Sequence, residues 1–278
     1  MDWQQRIEQL ETLNGVEKLL AIMAMLRDEQ HGCPWDKKQT FATIVPHTIE
    51  EAYEVADAIE LGDFAELKKE LGDLLFQVVF YSQLGQEQAL FDFEQVANTM
   101  CDKLVHRHPH VFSNRSFDDD EAINRNWESL KADEREKRST GESSVLDDIP
   151  RSMPALSRAY KMQKRASNVG FDWPDVQGAL DKVSEEIDEL KHELSDIDNN
   201  KEEIADELGD LYFALTNVSR HLGLKPEDVL RAANNKFERR FRGVELEVAA
   251  RGKEMESASL QELDAIWDEV KGQEPDKG

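Results

Sequence analysis

Apolar residues recur at spacings of three and four along most of the chain. Proline is sparse and no long alternating β-branched run occurs, so the pattern predicts helices throughout. One apolar stripe is Leu67, Leu71, Leu74, Leu75, Val78 and Val79, and a second is Leu208, Leu211, Tyr212 and Leu215. Ile49, Ala52, Tyr53 and Ala56 line one side of the helix that precedes the first. These stripes are expected to face a core. Breaks fall at Leu61-Gly-Asp63 and Asp196-Ile-Asp-Asn-Asn200, and short loops between amphipathic helices imply antiparallel neighbours.

The chain also repeats itself. His47-Thr-Ile-Glu-Glu-Ala-Tyr-Glu54 parallels Lys182-Val-Ser-Glu-Glu-Ile-Asp-Glu189, and Glu70-Leu-Gly-Asp73 parallels Glu207-Leu-Gly-Asp210. Glu186 lies 135 residues after Glu51, Asp210 lies 137 after Asp73 and Lys236 lies 133 after Lys103. A near-constant offset means one ancestral unit in tandem. Trp35-Asp36 is a weaker match to the Phe171-Asp172-Trp173 region. The expectation is an all-α protein of two related helical bundles, at 1–112 and 151–278, joined by a polar stretch at 113–150. Within that stretch, Asp118 to Arg138 reads as a solvated helix and Ser139 to Ser144 as the flexible joint. Gly272 to Gly278 reads as a frayed end.

Composition narrows the function. A chain of 278 residues suits about two domains, and 39 % hydrophobic residues suffice for real cores. The net charge of −25 repels phosphate backbones and anionic lipid, which argues against nucleic-acid and membrane-surface partners. Two cysteines cannot make the disulfide framework of a small secreted domain. The first residues lack a signal-peptide pattern, and no apolar run approaches the roughly 18 residues of a membrane span. A cytoplasmic setting is expected.

Residues three apart on a helix share a face. Glu51 with Glu54, and Glu70 with Asp73, can therefore converge between adjacent antiparallel helices, and Glu186, Glu189, Glu207 and Asp210 repeat the set. Four facing carboxylates repel unless protonated or neutralised, and all-oxygen ligation suits Mg²⁺, with Mn²⁺ as the alternative. Among 59 acidic residues such spacings arise by chance, but here they recur at matched offsets inside apolar stretches, where the acids are expected to be buried. Gly72 and Gly209, costly in a helix, suggest a close approach there. Glu189-Leu-Lys-His192 has the spacing of a di-iron ligand pair, but the pattern occurs once and His192 reads as a surface residue. Lys236, Arg239 and Arg240 form the basic cluster best suited to phosphate oxygens, and Lys182 lies one turn before Glu186. The first unit has Lys103, His106 and Arg107 in the basic block and His47 for Lys182. Trp173 and Trp267 are candidates to stack on a base, with core packing as the plainer role. There is no phosphate-binding glycine loop or dinucleotide glycine fingerprint.

These blocks resemble the MazG-like family of all-α nucleoside triphosphate pyrophosphohydrolases. The likeness runs over Gly32-Cys-Pro-Trp-Asp36, His47 to Glu54, Lys103 to Phe112, and Leu146 to Trp173 with its Val169-Gly-Phe-Asp-Trp173. It implies hydrolysis of nucleoside triphosphates to monophosphate and pyrophosphate with Mg²⁺, by water attack at the α-phosphorus, in a homodimer. It also implies metal ligation by Glu186, Glu189, Glu207 and Asp210, with Glu51, Glu54, Glu70 and Asp73 as a second set. Lys182, Glu185, Lys236, Phe237, Arg239, Arg240 and Trp267 would surround the nucleotide, with Glu185, or another carboxylate outside the metal's inner shell, orienting water and the basic cluster holding the triphosphate. The competing reading is a nucleotide-binding or regulatory helical protein in which one carboxylate set, or neither, is catalytic.

Overall fold

The computed structural model describes residues 2–117, 119–138, 144–198 and 200–274. Among these residues there is no strand. The first unit, Met1–Leu130, holds α1 (Trp3–Leu10), α2 (Gly15–Leu26), α3 (Phe41–Leu61), α4 (Phe64–Glu87), α5 (Phe93–Arg107) and the single turn α6 (Pro109–Phe112). Helix α7 (Asp120–Arg138) crosses into the second unit, Lys131–Gly278. That unit holds α8 (Ala155–Ser167), α9 (Val176–Glu193), α10 (Lys201–His221), α11 (Pro226–Ala250) and α12 (Leu260–Gly272). Most of the expected joint, 139–143, lies outside the described residues, as do 275–278. No helix among the described residues is long and apolar enough to cross a membrane.

Each unit is built on one long antiparallel hairpin, α3 with α4 and α9 with α10. Capping fixes where these helices start. Thr40 and Thr43 form a reciprocal capping box at α3, and the Asp175 carboxylate accepts from Gln177 N–H and Gly178 N–H at α9. Asp63 caps α4, and Asn200 stands at the same point of α10. The caps keep the repeat's own register, 135 residues apart for α3 and α9 and 137 for α4 and α10. Gly62, with φ at 70°, takes the left-handed conformation that closes α3 and lets the chain reverse.

The first core joins Met23 of α2, Ile44 of α3 and Val79, Phe80 and Leu84 of α4, with Phe41, Phe76, Tyr81 and Phe93 packed around it. Arg27 lies over the Phe80 ring, forks onto Glu87 at 2.6 and 2.8 Å, and donates to the Asp36 carbonyl, which ties down the loop before α3. The second unit's core cluster joins Val244 and Val248 of α11 to Ile266 of α12. Helix α7 is held as well as solvated, because the Trp127 indole donates to the Arg107 carbonyl at 2.7 Å.

The expected core stripes need correction. Val79 is fully buried, but Leu71, Leu75 and Val78 are exposed, as are Tyr212 and Leu215. The face of α4 that meets α2 and α3 carries Phe76, Val79, Phe80 and Leu84, so much of the apolar stripe points away from the unit's own core. The end at Gly272 to Glu274 is also not free. The Glu274 carboxylate accepts from Arg239 at 2.8 Å and from Arg240 at 2.7 Å.

Candidate active site

The two hairpins do bring the predicted acids together. In the first unit Glu51 of α3 and Glu70 and Asp73 of α4 each offer a carboxylate oxygen within 4.8 Å of the others. In the second, Glu186 of α9 and Glu207 and Asp210 of α10 do the same. Glu54 and Glu189 sit one helical turn further on, at the edge of each group. Their charge raises Glu51 and Glu70 in one unit and Glu207 in the other. The expected burial is only partly met: Glu186 is 3 % exposed, whereas Glu54, Asp73, Glu189 and Asp210 are exposed. Nor do Gly72 and Gly209 mark a close approach within the chain, since a Cβ at either would meet nothing. His192 is exposed, as read from the sequence.

The donor set fits a hard divalent cation. Oxygen ligands about 2.1–2.5 Å from an ion lie up to about 4–5 Å from one another, which matches each triplet's spacing. Glu186 Oε2 is buried with no hydrogen-bond partner, an atom that calls for a cation. Desolvation and the neighbouring Asp73 and Glu54 push Glu51 above the usual carboxylate range. Desolvation, a hydrogen bond that the Glu70 carboxyl donates to Glu66, and the Glu54 charge push Glu70 up to about 7. Glu189 and Glu207 are raised by desolvation and by the acids facing them. Lys182 supplies a local counter-charge. Its ammonium donates to Glu185 at 2.8 Å and pairs with Glu186 Oε1 at 2.7 Å, and these bonds raise it above an ordinary lysine. In the first unit His47 stands in its place, 3.7 Å from Glu50.

Beside the second carboxylate group lies a mostly apolar cavity of about 780 Å³ between α8, α9, α10 and the loops before and after α8. Lys182, Glu186 and Asp210 form part of its wall, and Phe171, Trp173, Phe213 and Met162 form another part. A polar end is built from Asn217, Arg220 and Asp172. Burial acts to raise the Asp172 carboxyl, but the Arg220 guanidinium and His221 outweigh it and hold it below the usual range. Gln163 is fixed by donation to the Phe213 carbonyl at 2.8 Å. Of these wall residues, sequence reasoning singled out Trp173 and the charged trio. It missed Gln163, Asn217 and Arg220, whose signal was polar side chains facing inward from otherwise amphipathic helices.

The remaining candidates lie elsewhere in the second unit. Glu185 is exposed and held by Lys182. Arg239 and Arg240 are both engaged by Glu274. Trp267 packs against Val244, Val248 and Ile266, touches the Phe237 ring at 5.4 Å and lies under the Arg240 guanidinium. Lys236 is exposed on α11. None of Lys236, Phe237, Arg239, Arg240 or Trp267 lines the cavity.

Comparison with known proteins agrees with this geometry. The profile of the MazG nucleotide pyrophosphohydrolase domain matches residues 39–112 and 176–244, the two segments that contain the carboxylate hairpins. A nucleoside triphosphate pyrophosphohydrolase of Escherichia coli K12 is 52 % identical over 95 % of this chain and 100 % of its own length. The nucleoside triphosphate pyrophosphohydrolase/pyrophosphatase MazG of Thermotoga maritima is 40 % identical over 92 % of this chain and 95 % of its own. A nucleoside triphosphate pyrophosphohydrolase of Mycolicibacterium smegmatis is 33 % identical over 62 % of this chain and 53 % of its own. With the domain present twice and relatives matched along almost the whole length, the chain belongs to the MazG nucleotide pyrophosphohydrolase family.

Proposed function

We propose that this protein hydrolyses nucleoside triphosphates to monophosphate and pyrophosphate, by attack of water at the α-phosphorus, and that the second unit carries the reaction. The observation behind this reading is the meeting, at Lys182, Glu186 and Asp210, of a carboxylate group built for a divalent ion and a cavity large enough for a nucleoside. Glu186, Glu207 and Asp210, with Glu189 at the edge, would hold Mg²⁺ or Mn²⁺, which supplies charge neutralisation and an acidified water when bound.

The chain's own groups do the rest. Phe171, Trp173 and Phe213 offer aromatic surfaces to a base. The Lys182 ammonium, at the cavity wall, compensates phosphate charge that the protein's net charge of −25 would otherwise repel. Glu185, outside the metal triplet, takes the role of orienting water and accepting its proton at a carboxylate oxygen. Lys236, Arg239 and Arg240 hold the triphosphate tail beside Phe237 and Trp267. Because these side chains do not line the cavity of one chain, their part depends on the homodimer that the exposed apolar faces support. The first unit, with His47 in place of Lys182, serves assembly or regulation.

The test is to incubate the protein with each common triphosphate and Mg²⁺ and resolve the products. Monophosphate and pyrophosphate are expected, abolished by EDTA and by Glu186→Ala, and retained in Glu51→Ala. Diphosphate and phosphate as products would overturn the reaction, and near wild-type turnover in Glu186→Ala would overturn the metal assignment.

A further inference from the structure

The two hairpins share one register, so each wall position of the second unit's cavity has a counterpart in the first. With α9 offset by 135 residues from α3 and α10 by 137 from α4, Ala179 corresponds to Ile44, Ala214 to Gln77 and Asn217 to Phe80. All three second-unit residues line the cavity. Ala179 and Ala214 are buried, as are all three counterparts, so the difference lies in side-chain size, and Ile44 and Phe80 are packed into the first unit's core with Met23, Val79 and Leu84. Gln77 reaches Glu51 Oε1 with its amide at 3.5 Å, whereas Glu186 Oε2, opposite the small Ala214, has no partner. The carboxylates are retained in both units, while three positions that line the open space in the second unit carry larger, buried side chains in the first.

We propose that Ala179 and Ala214 are the specificity-determining residues that open the nucleoside pocket, and that Ile44 and Gln77 close the corresponding space in the first unit. The first unit then keeps a carboxylate group of the metal-binding type but admits no nucleoside, so one chain binds one nucleoside. The inference rests on the function proposed above for the cavity. It follows from close packing, because a buried position cannot accept a larger side chain and a ligand in the same volume.

The test transplants the first unit's residues into the second, as Ala179→Ile and Ala214→Gln in the full chain. Five quantities are read: KM and kcat for ATP and CTP, the Kd for adenosine, the Kd for Mn²⁺, and the thermal melt. The expected result is loss of adenosine binding and a KM raised tenfold or more for ATP. The rise is smaller for CTP, whose base is smaller, kcat changes less than KM, and Mn²⁺ affinity stays within about twofold. A general structural defect would move both triphosphates and the metal together. Should either variant fail to fold, Ala179→Val and Ala214→Val must still raise the KM for ATP more than that for CTP. Folded variants with unchanged adenosine binding and unchanged KM overturn the proposal, as does a wild-type stoichiometry of two adenosines per chain. Failure of the underlying reading is distinguishable: the wild-type protein would then release no pyrophosphate from any triphosphate, while adenosine binding would still report on the two alanines.

Discussion

Glu274 is the residue on which the basic cluster closes in the free chain. Its two oxygens each accept from one guanidinium, Oε1 from Arg239 and Oε2 from Arg240, much as a phosphate would. Those bonds hold its carboxyl at about 2, well below an ordinary glutamate. A depressed value in the folded state means that the stabilisation is present above the ordinary carboxylate pKa and is lost as pH falls toward about 2. Because Arg240 lies over Trp267, tryptophan emission should shift as pH falls toward about 2, and Glu274→Gln should abolish that shift. Glu70 carries the opposite sign. With its carboxyl raised to about 7, the metal-free first unit is stabilised fully below the ordinary glutamate value and loses that contribution as pH rises through about 7. A divalent ion relieves the same repulsion and binds only the deprotonated group. The increase in melting temperature caused by Mn²⁺ should therefore be larger at about pH 8 than at about pH 5.5, and Glu70→Gln should reduce the difference.

At the scale of the helix, spacing said which acids would meet but not which apolar residues would be covered. Glu51, Glu70 and Asp73 converge because α3 and α4 are antiparallel neighbours with fixed caps, information that lies in Thr40, Asp63 and the three-residue spacings. The helices, the repeat and both carboxylate groups were legible for that reason. The cavity was not, since it depends on Ala179 and Ala214 being small at positions where the first unit has Ile44 and Gln77, and binary patterning treats alanine and isoleucine alike. The apolar stripe of α4 misled because it is wider than one core can cover: Phe80 faces inward, while Leu71 and Leu75 on the same helix do not. Phe80→Ala should accordingly cost about 3–5 kcal/mol in denaturant unfolding of the first unit. A cost below about 1 kcal/mol would mean that this core does not hold the hairpin.

For the whole molecule, the uncovered apolar faces are the feature that a single chain leaves unresolved. Tyr53, Leu71, Leu75 and Val78 in the first unit, and Leu208, Tyr212 and Leu215 in the second, are all more than a third exposed, beside glycines whose Cβ positions are open. Contiguous apolar surface of this kind on the carboxylate-bearing helices is the mark of an interface. The glycines agree with it, since a helical glycine facing open space costs about 1 kcal/mol without return unless a neighbour packs there. Against association stands the charge of −25 per chain, which makes two copies repel. The balance has a measurable signature. Sedimentation should show a dimer whose dissociation constant falls as salt rises from about 0.02 to 0.3 M, because screening removes the repulsion and leaves apolar burial intact. Tyr212→Glu and Leu71→Glu should each weaken association by placing a further charge in the apolar face. Both should reduce turnover through the lost dimer, and Tyr212→Glu should do so more, because the second unit's hairpin also borders the open cavity. A wild-type protein that sediments as a monomer at every salt concentration would leave the exposed faces to some other partner and remove the route proposed for Arg239 and Arg240 to the substrate.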